Sequence, residues 1–253
     1  MPESLRHTLF HNLRRFTPLR SVYRVLFGRE GRERRRKLGA FYSQFIKPND
    51  LVFDIGANIG VYAEVFQSIG ARVVAVEPDP ACSKEIAWTT SRDRVTIVQA
   101  AVGDQEGFCK LFVNELSILN TVSKNWVEKE KANKPYEIGM WKNEIEVPMV
   151  TIDKLVAKYG IPRFIKLDVE GFELSVLSGM SSQPEYLSFE FHADTLDKDE
   201  ACFEKLSPST QYDFTINEPF KFEIGRWVSR EEVWNRILAG RISTCGELFA
   251  RMV

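Results

Sequence analysis

The chain has 253 residues, 44% of them hydrophobic and 27% charged, with a formal net charge of −1. This composition excludes fibrous and intrinsically disordered classes, and the length suffices for a core built without disulfides or metals. The near-neutral balance hides a split, because residues 1–40 carry eleven Lys or Arg against three Asp or Glu and the remainder is acidic.

The start of the chain predicts a basic helical arm. Leu5, Leu9, Leu13 and Phe16 fall at helical spacing with arginines between them. A second short helix is expected over 21–27, a charge run over 30–37, and a helix over 38–46 that stops before Pro48. This gives an arm over 1–40 and one domain over 41–253. The arm has three possible roles: packing on its own domain, peripheral contact with an anionic membrane surface, or self-association. Nucleic acid is not an expected partner, because the body is acidic and the basic run lacks interleaved aromatics. Arg6, Arg14 and Arg15 interrupt the start, which excludes a secretory signal. No apolar run reaches the ~20 residues of a membrane helix. Cys82, Cys109, Cys202 and Cys245 are too far apart for a zinc or redox pair. Free thiols and a cytoplasmic location are expected.

From residue 51 strands and helices alternate. Strands are expected over 51–55, 72–76, 95–98, 164–169 and 186–191, with helices over 60–69, 80–89, 152–159, 172–177 and 197–206. This alternation predicts an α/β fold, Rossmann-like, with a mostly parallel seven-stranded sheet and helices on both faces. Continuous apolar runs such as Val73–Val76 fit strands covered on both sides. Added strands are expected over 107–113 and 145–151. Residues 116–143 are expected to form an irregular insertion over the pocket mouth, in which Trp126, Tyr136 and Trp141 either line a sugar or aromatic acceptor or, on the plainer reading, pack the insertion onto the domain. The tail predicts strands over 212–216 and 247–250 and a helix over 230–238.

The first strand runs into Asp54-Ile55-Gly56-Ala57-Asn58-Ile59-Gly60, a carboxylate followed by a turn with glycines four apart. Glycine lets a backbone approach a ligand closely, and ligands of open α/β sheets sit outside the carboxyl ends of the strands. Dinucleotide folds carry G-x-G-x-x-G there, over which a pyrophosphate sits. An acid at position 54 would repel a pyrophosphate and suits a cationic or hydroxyl-rich ligand, such as the amino-acid end of S-adenosylmethionine. Glu77 ends the second strand, 23 residues after Asp54, near the ~20 at which an acid meets ribose hydroxyls. The two acids narrow the ligand to an adenosine-type molecule without phosphates. Ala101 lies in the loop after the third strand, which borders the adenine in such a fold. Asp168 is expected at the carboxyl end of the fourth strand, facing the crevice, while Glu190 and His192 share one face of the next. Glu170 has the alternative of capping a helix, and Glu173 is expected on a helix surface.

These residues resemble the FkbM-type methyltransferase family. The matching pieces are Asp54–Gly60, Val76-Glu77-Pro78, Ala101-Val102-Gly103, Val150–Leu155, Phe164–Glu173 and Phe189-Glu190-Phe191-His192. The Lys-x-Asp-Val-Glu-Gly-x-Glu string is the most specific of them. The resemblance implies an S-adenosylmethionine-dependent O-methyltransferase acting on a hydroxyl of a small molecule, sugar or glycolipid. It implies that Asp54, Gly56, Asn58 and Gly60 hold the methionine end, that Glu77 holds the ribose, and that Asp168 lies beside the reacting methyl. It also implies a Ser/Asn-rich loop over the site, here 117–123. A hydroxyl acceptor calls for a general base, Asp168 or His192, with Glu190 orienting it. Asp168, Glu190 and His192 are also the candidate ligands should a cation assist, although their spacing is not diagnostic and no metal is expected. The competing readings are a non-catalytic adenosine-ligand binder, a nitrogen-directed methyltransferase and an NAD-dependent oxidoreductase.

Overall fold

In a computed structural model, residues 28–114, 120–133, 141, 143–192, 196–216, 219–239 and 245–253 are described. The expected helices over residues 1–27, and Tyr136, lie outside them. The chain begins with α1 (Gly28–Tyr42), then β1 (Leu51–Ile55), α2 (Val61–Ser68), β2 (Arg72–Val76), α3 (Pro80–Thr89) and β3 (Val95–Val98). There follow β4 (Ala101–Val102), β5 (Gly107–Val113), α4 (Lys124–Asn133), β6 (Asn143–Val150), α5 (Ile152–Tyr159) and β7 (Phe164–Leu167). The last elements are α6 (Glu173–Ser178), β8 (Tyr186–His192), α7 (Leu196–Phe203), β9 (Gln211–Ile216), α8 (Arg230–Ala239) and β10 (Cys245–Arg251).

Seven strands form one sheet in the order β3-β2-β1-β7-β8-β10-β9. β3, β2, β1, β7 and β8 pair in parallel, and β10 runs antiparallel to both of its neighbours. The order departs from β1 in both directions, so the crevice at the carboxyl ends of β1, β2 and β7 is the place where such a sheet takes a ligand. β5 and β6 are not in this sheet. With the two-residue β4 they form a second sheet of order β4-β6-β5, so the added strands expected over 107–113 and 145–151 exist but lie outside the main sheet. β5 carries a largely exposed edge, with Phe108 71% open, so its own alternation does not tie it to the main core.

The two faces of the large sheet carry separate cores, as the strict side-chain alternation of strands requires. One face packs Phe53, Ile55, Ile165, Leu167, Leu187 and Phe189 against α5, α6, α7 and α8. The other packs Val52, Phe164 and Phe249 against α1 and α2. Here Tyr42 meets Phe66 edge-on at 5.1 Å between centroids, and Phe45 stacks on Phe249 at 5.6 Å.

The charge run over 30–37 does not precede this helix but belongs to it. α1 starts at Gly28, crosses the expected boundary at residue 40, and buries Leu38, Phe41 and Tyr42. A helix with one apolar end and one solvated charged stretch obscures its own start in the sequence. No helix among the described residues is long and apolar enough to cross a membrane.

If α1 is part of the domain core, Phe41→Ala should lower unfolding free energy by about 3–5 kcal/mol. Urea denaturation of the full chain measures this, and a change under 1 kcal/mol would mean that α1 is a peripheral arm.

Candidate active site

The carboxyl ends of β1, β2 and β7 are drawn together by backbone contacts. The Gly56 and Ala57 amides donate to the Val76 carbonyl at 2.9 and 3.1 Å, and the Asp168 amide donates to the Ile55 carbonyl at 3.0 Å. Gly56 has φ +79°, where only glycine is unstrained. A Cβ there would lie 1.8 Å from the Asp168 carbonyl oxygen. The turn after β1 therefore sits directly against the end of β7.

Between them opens a pocket lined on one side by Gly56, Asn58, Glu77 and Pro78. Its far wall is apolar and comes from Ala101, Val102, Leu111 and Val122; Asp168 and Glu170 close the remaining end. No described lining residue is basic. Glu77 is held in a defined pose, its two oxygens accepting from the Asn58 and Asp79 amides at 2.8 Å each. Burial drives its carboxyl up to about 8, against the pull of those two amides.

Of the sequence-expected residues, Gly56, Asn58, Glu77, Ala101 and Asp168 line the pocket, and Asp54 and Gly60 do not. Asp54 is 1% exposed and lies behind Gly56 in β1, where one oxygen has no hydrogen-bond partner. Its carboxyl is raised to about 7, first by burial, while the nearby Lys166 pulls it down. Gly60 begins α2 at φ +84°, with the Ile86 side chain 3.1 Å from where a Cβ would be.

Glu190 stands near Asp168 and accepts from the Cys245 thiol. His192 ends β8 and pairs with Cys245 through the backbone, and its side chain lies outside the described residues. The residue that joins Asp168 and Glu190 is Glu170, and carboxylate oxygens of the three lie within 4.8 Å of one another. Burial, then Glu190, then Asp168, push the Glu170 carboxyl well above its usual range. The three carboxyls thus crowd one another, and Glu170 holds its proton more readily than an isolated carboxyl would.

Glu170 was not legible as a pocket residue because its backbone is left-handed, φ +52°, followed by Gly171 at φ +83°. This turn is gripped on several sides. Glu173, expected on a surface, is 7% exposed and accepts from the Val169 and Gly171 amides at 3.4 and 3.3 Å. Thr121 Oγ1 donates to the Glu170 carbonyl at 2.8 Å, and Trp126 lies where a Gly171 Cβ would be. Within the insertion Trp126 also meets Trp141 edge-on at 5.9 Å. Asn120 reaches across to the other wall, donating to Asp79 Oδ2 at 2.9 Å while accepting from the Asn114 amide.

A sequence model of the methyltransferase FkbM domain matches residues 54–215. The chain belongs to the FkbM methyltransferase family. Among characterised relatives it is 25% identical over 183 residues to the hexuronic acid methyltransferase AglP of Haloferax volcanii, covering 70% of this chain and 71% of that protein. It is 27% identical over 195 residues to the 31-O-demethyl-FK506 methyltransferase FkbM of Streptomyces tacrolimicus, covering 68% and 75%. Among solved structures it is similar to precorrin-8W decarboxylase of Methanobacterium thermoautotrophicum, with a TM-score of 0.45, 12% identity and coverage of 87% and 90%. The family implies S-adenosylmethionine as methyl donor.

The pocket fits that group chemically: a carboxylate posed for ribose hydroxyls, an apolar slot for a purine, and no described cation for a phosphate. Two outcomes follow. Gly56→Ala should abolish S-adenosylhomocysteine binding in calorimetry, since the added methyl must displace the Asp168 backbone; affinity within threefold of wild type would contradict this. A second concerns pH. If ribose hydroxyls donate to the Glu77 carboxylate, binding expels the proton that burial retains up to about pH 8. Affinity for S-adenosylhomocysteine should therefore rise by up to about tenfold per pH unit between 6 and 8 and then level off, with the slope weakened in Glu77→Gln. The same raised carboxyls of Glu77 and Asp54 stabilise the ligand-free fold below about pH 4, and that contribution is lost as pH rises through 7 and 8.

Proposed function

We propose that the chain transfers the methyl group of S-adenosylmethionine to a hydroxyl of a sugar or other small natural product, with Asp168 as general base. The observation that carries this reading is the position of Asp168. It lines the same pocket as Glu77, at the opposite end, and its side chain remains 33% open. The two relatives named above, one for a hexuronic acid and one for a 31-O-demethyl macrocycle, favour an oxygen acceptor.

Bound S-adenosylmethionine supplies an electrophilic methyl on a positively charged sulfur. The work left to the protein is alignment and removal of one proton. Glu77 and Asn58 anchor the ribose side, while the Gly56 turn borders the methionine end and Asp54 lies buried beneath it. Ala101, Val102 and Leu111 hold the purine in an apolar slot. This fixes where the methyl must point, and such alignment is worth several kcal/mol of barrier. An alcohol is a weak nucleophile because its proton is held about as tightly as water's, near pKa ~16. A carboxylate within hydrogen-bond reach takes that proton as the oxygen–carbon bond forms. Asp168 accepts it in this reading, while Glu170 and Glu190 orient the acceptor's other hydroxyls. The Asn120–Asp79 and Thr121–Glu170 links hold the loop over the pocket and keep water from the reacting atoms.

Asp168→Asn preserves shape but cannot take a proton. Transfer of labelled methyl from S-adenosylmethionine to a carbohydrate and natural-product extract should fall at least 100-fold in this variant, while S-adenosylhomocysteine affinity changes less than threefold. Labelled product bearing an O-methyl group would support the oxygen acceptor, N-methyl product would overturn it, and full turnover by the variant would remove Asp168 from the mechanism.

A further inference from the structure

Lys166 has no part in the reaction as described so far, yet its position is costly. It stands in β7, where every residue is buried, and it is itself 3% exposed. Burying an ammonium costs several kcal/mol unless charge and hydrogen bonds compensate, and a leucine would fill the same strand without that cost. The side-chain alternation of strands puts Lys166 and Asp168, two residues apart, on one face of the sheet. Asp54 of β1 and Ser188 of β8 are its direct lateral partners in register, so they share that face.

The groups around the ammonium are arranged unequally. Glu247 of β10 is already engaged, with both oxygens within reach of the Tyr42 hydroxyl of α1 and one accepting from Ser188 Oγ at 2.5 Å. Asp54 accepts from the Ala63 amide. The Tyr62 ring of α2 covers the ammonium at 4.3 Å from its centroid. Lys166 Nζ makes its direct ion pair with Asp168 Oδ2, at 2.9 Å. The cation is sealed from water, whereas its partner remains a third open and lines the pocket.

We infer that Lys166 is the positioning residue of the active site, its sealed ammonium fixing the Asp168 carboxylate so that its negative charge faces the sulfonium and the acceptor oxygen. Burial alone would favour losing the lysine's proton, but the carboxylates of Asp168 and Glu247 outweigh it and keep the charge in place. Beyond Asp168, Glu170 and Glu190 are the next acids. Without the ammonium, Asp168 would face them uncompensated and would turn away. Lys166 touches neither substrate nor donor and acts through Asp168. This inference rests on the proposed placement of Asp168 beside the donor's methyl.

The test compares S-adenosylmethionine, which carries the positive sulfur, with S-adenosylhomocysteine, which lacks the charge, by calorimetry on the full chain. Asp168→Asn should weaken S-adenosylmethionine by about tenfold or more and leave S-adenosylhomocysteine nearly unchanged. Lys166→Met should reproduce most of that selective loss, the double variant should lose no more than Asp168→Asn alone, and Lys166→Arg should recover the preference. Should Lys166→Met fail to fold, Lys166→Gln carries the same comparison. Equal weakening of both ligands by the lysine variants, or an unchanged ratio, would overturn the inference and reduce Lys166 to a structural charge. An unchanged ratio in Asp168→Asn would instead sink the placement of Asp168, and the inference with it.

Discussion

The pocket exists because one residue has no side chain. Gly56 lets the turn after β1 lie against the backbone of Asp168, and that contact brings the β1 and β7 ends close enough to share a ligand. From this approach follows the rest of the site. Val76 accepts from both amides of the turn, which sets Glu77 opposite Asn58. The chain leaving β7 must then reverse sharply, and it does so through two consecutive left-handed residues, Glu170 and Gly171. A non-glycine residue in that conformation persists only where its surroundings over-determine it. Here Glu173, Thr121 and Trp126 do so together.

The electrostatics of the site have one theme. Acids line both ends of the pocket and the face beneath it, and the buried cation in contact with them is Lys166. Such a field disfavours phosphate-bearing ligands and favours a cationic one. It also retains protons, as the raised carboxyls of Asp54, Glu77, Glu170 and Glu247 show. Ligand binding and proton release are thereby linked, and a positively charged donor is the natural counter-ion of these acids.

Much of the fold was legible because buried parallel strands announce themselves as short apolar runs ended by turn residues. β1, β2 and β3 fall where such runs predict them, and Glu77 and Asp168 stand just past strand ends and line the pocket, as their places in the sequence suggest. The second sheet was hidden. β4 is two residues long and β5 is exposed along much of its length, so neither carries a pattern strong enough to say which layer it joins. Glu170 was weighed as a helix cap because periodicity arguments assume right-handed backbone. Lys166 left a usable signal: a charge inside an otherwise apolar strand demands a counter-charge, and the nearest acid of equal parity is Asp168. Its lateral partners, and Glu247 from the far end of the chain, could be known only from the register.

The central claim is that this cradle was built for a phosphate-free adenosyl ligand. Isothermal titration of the unmodified chain with S-adenosylhomocysteine and, separately, with NAD tests it most directly. The account predicts saturable one-to-one binding of the former and no heat of binding from the latter. Saturable uptake of NAD by a chain indifferent to S-adenosylhomocysteine would contradict it.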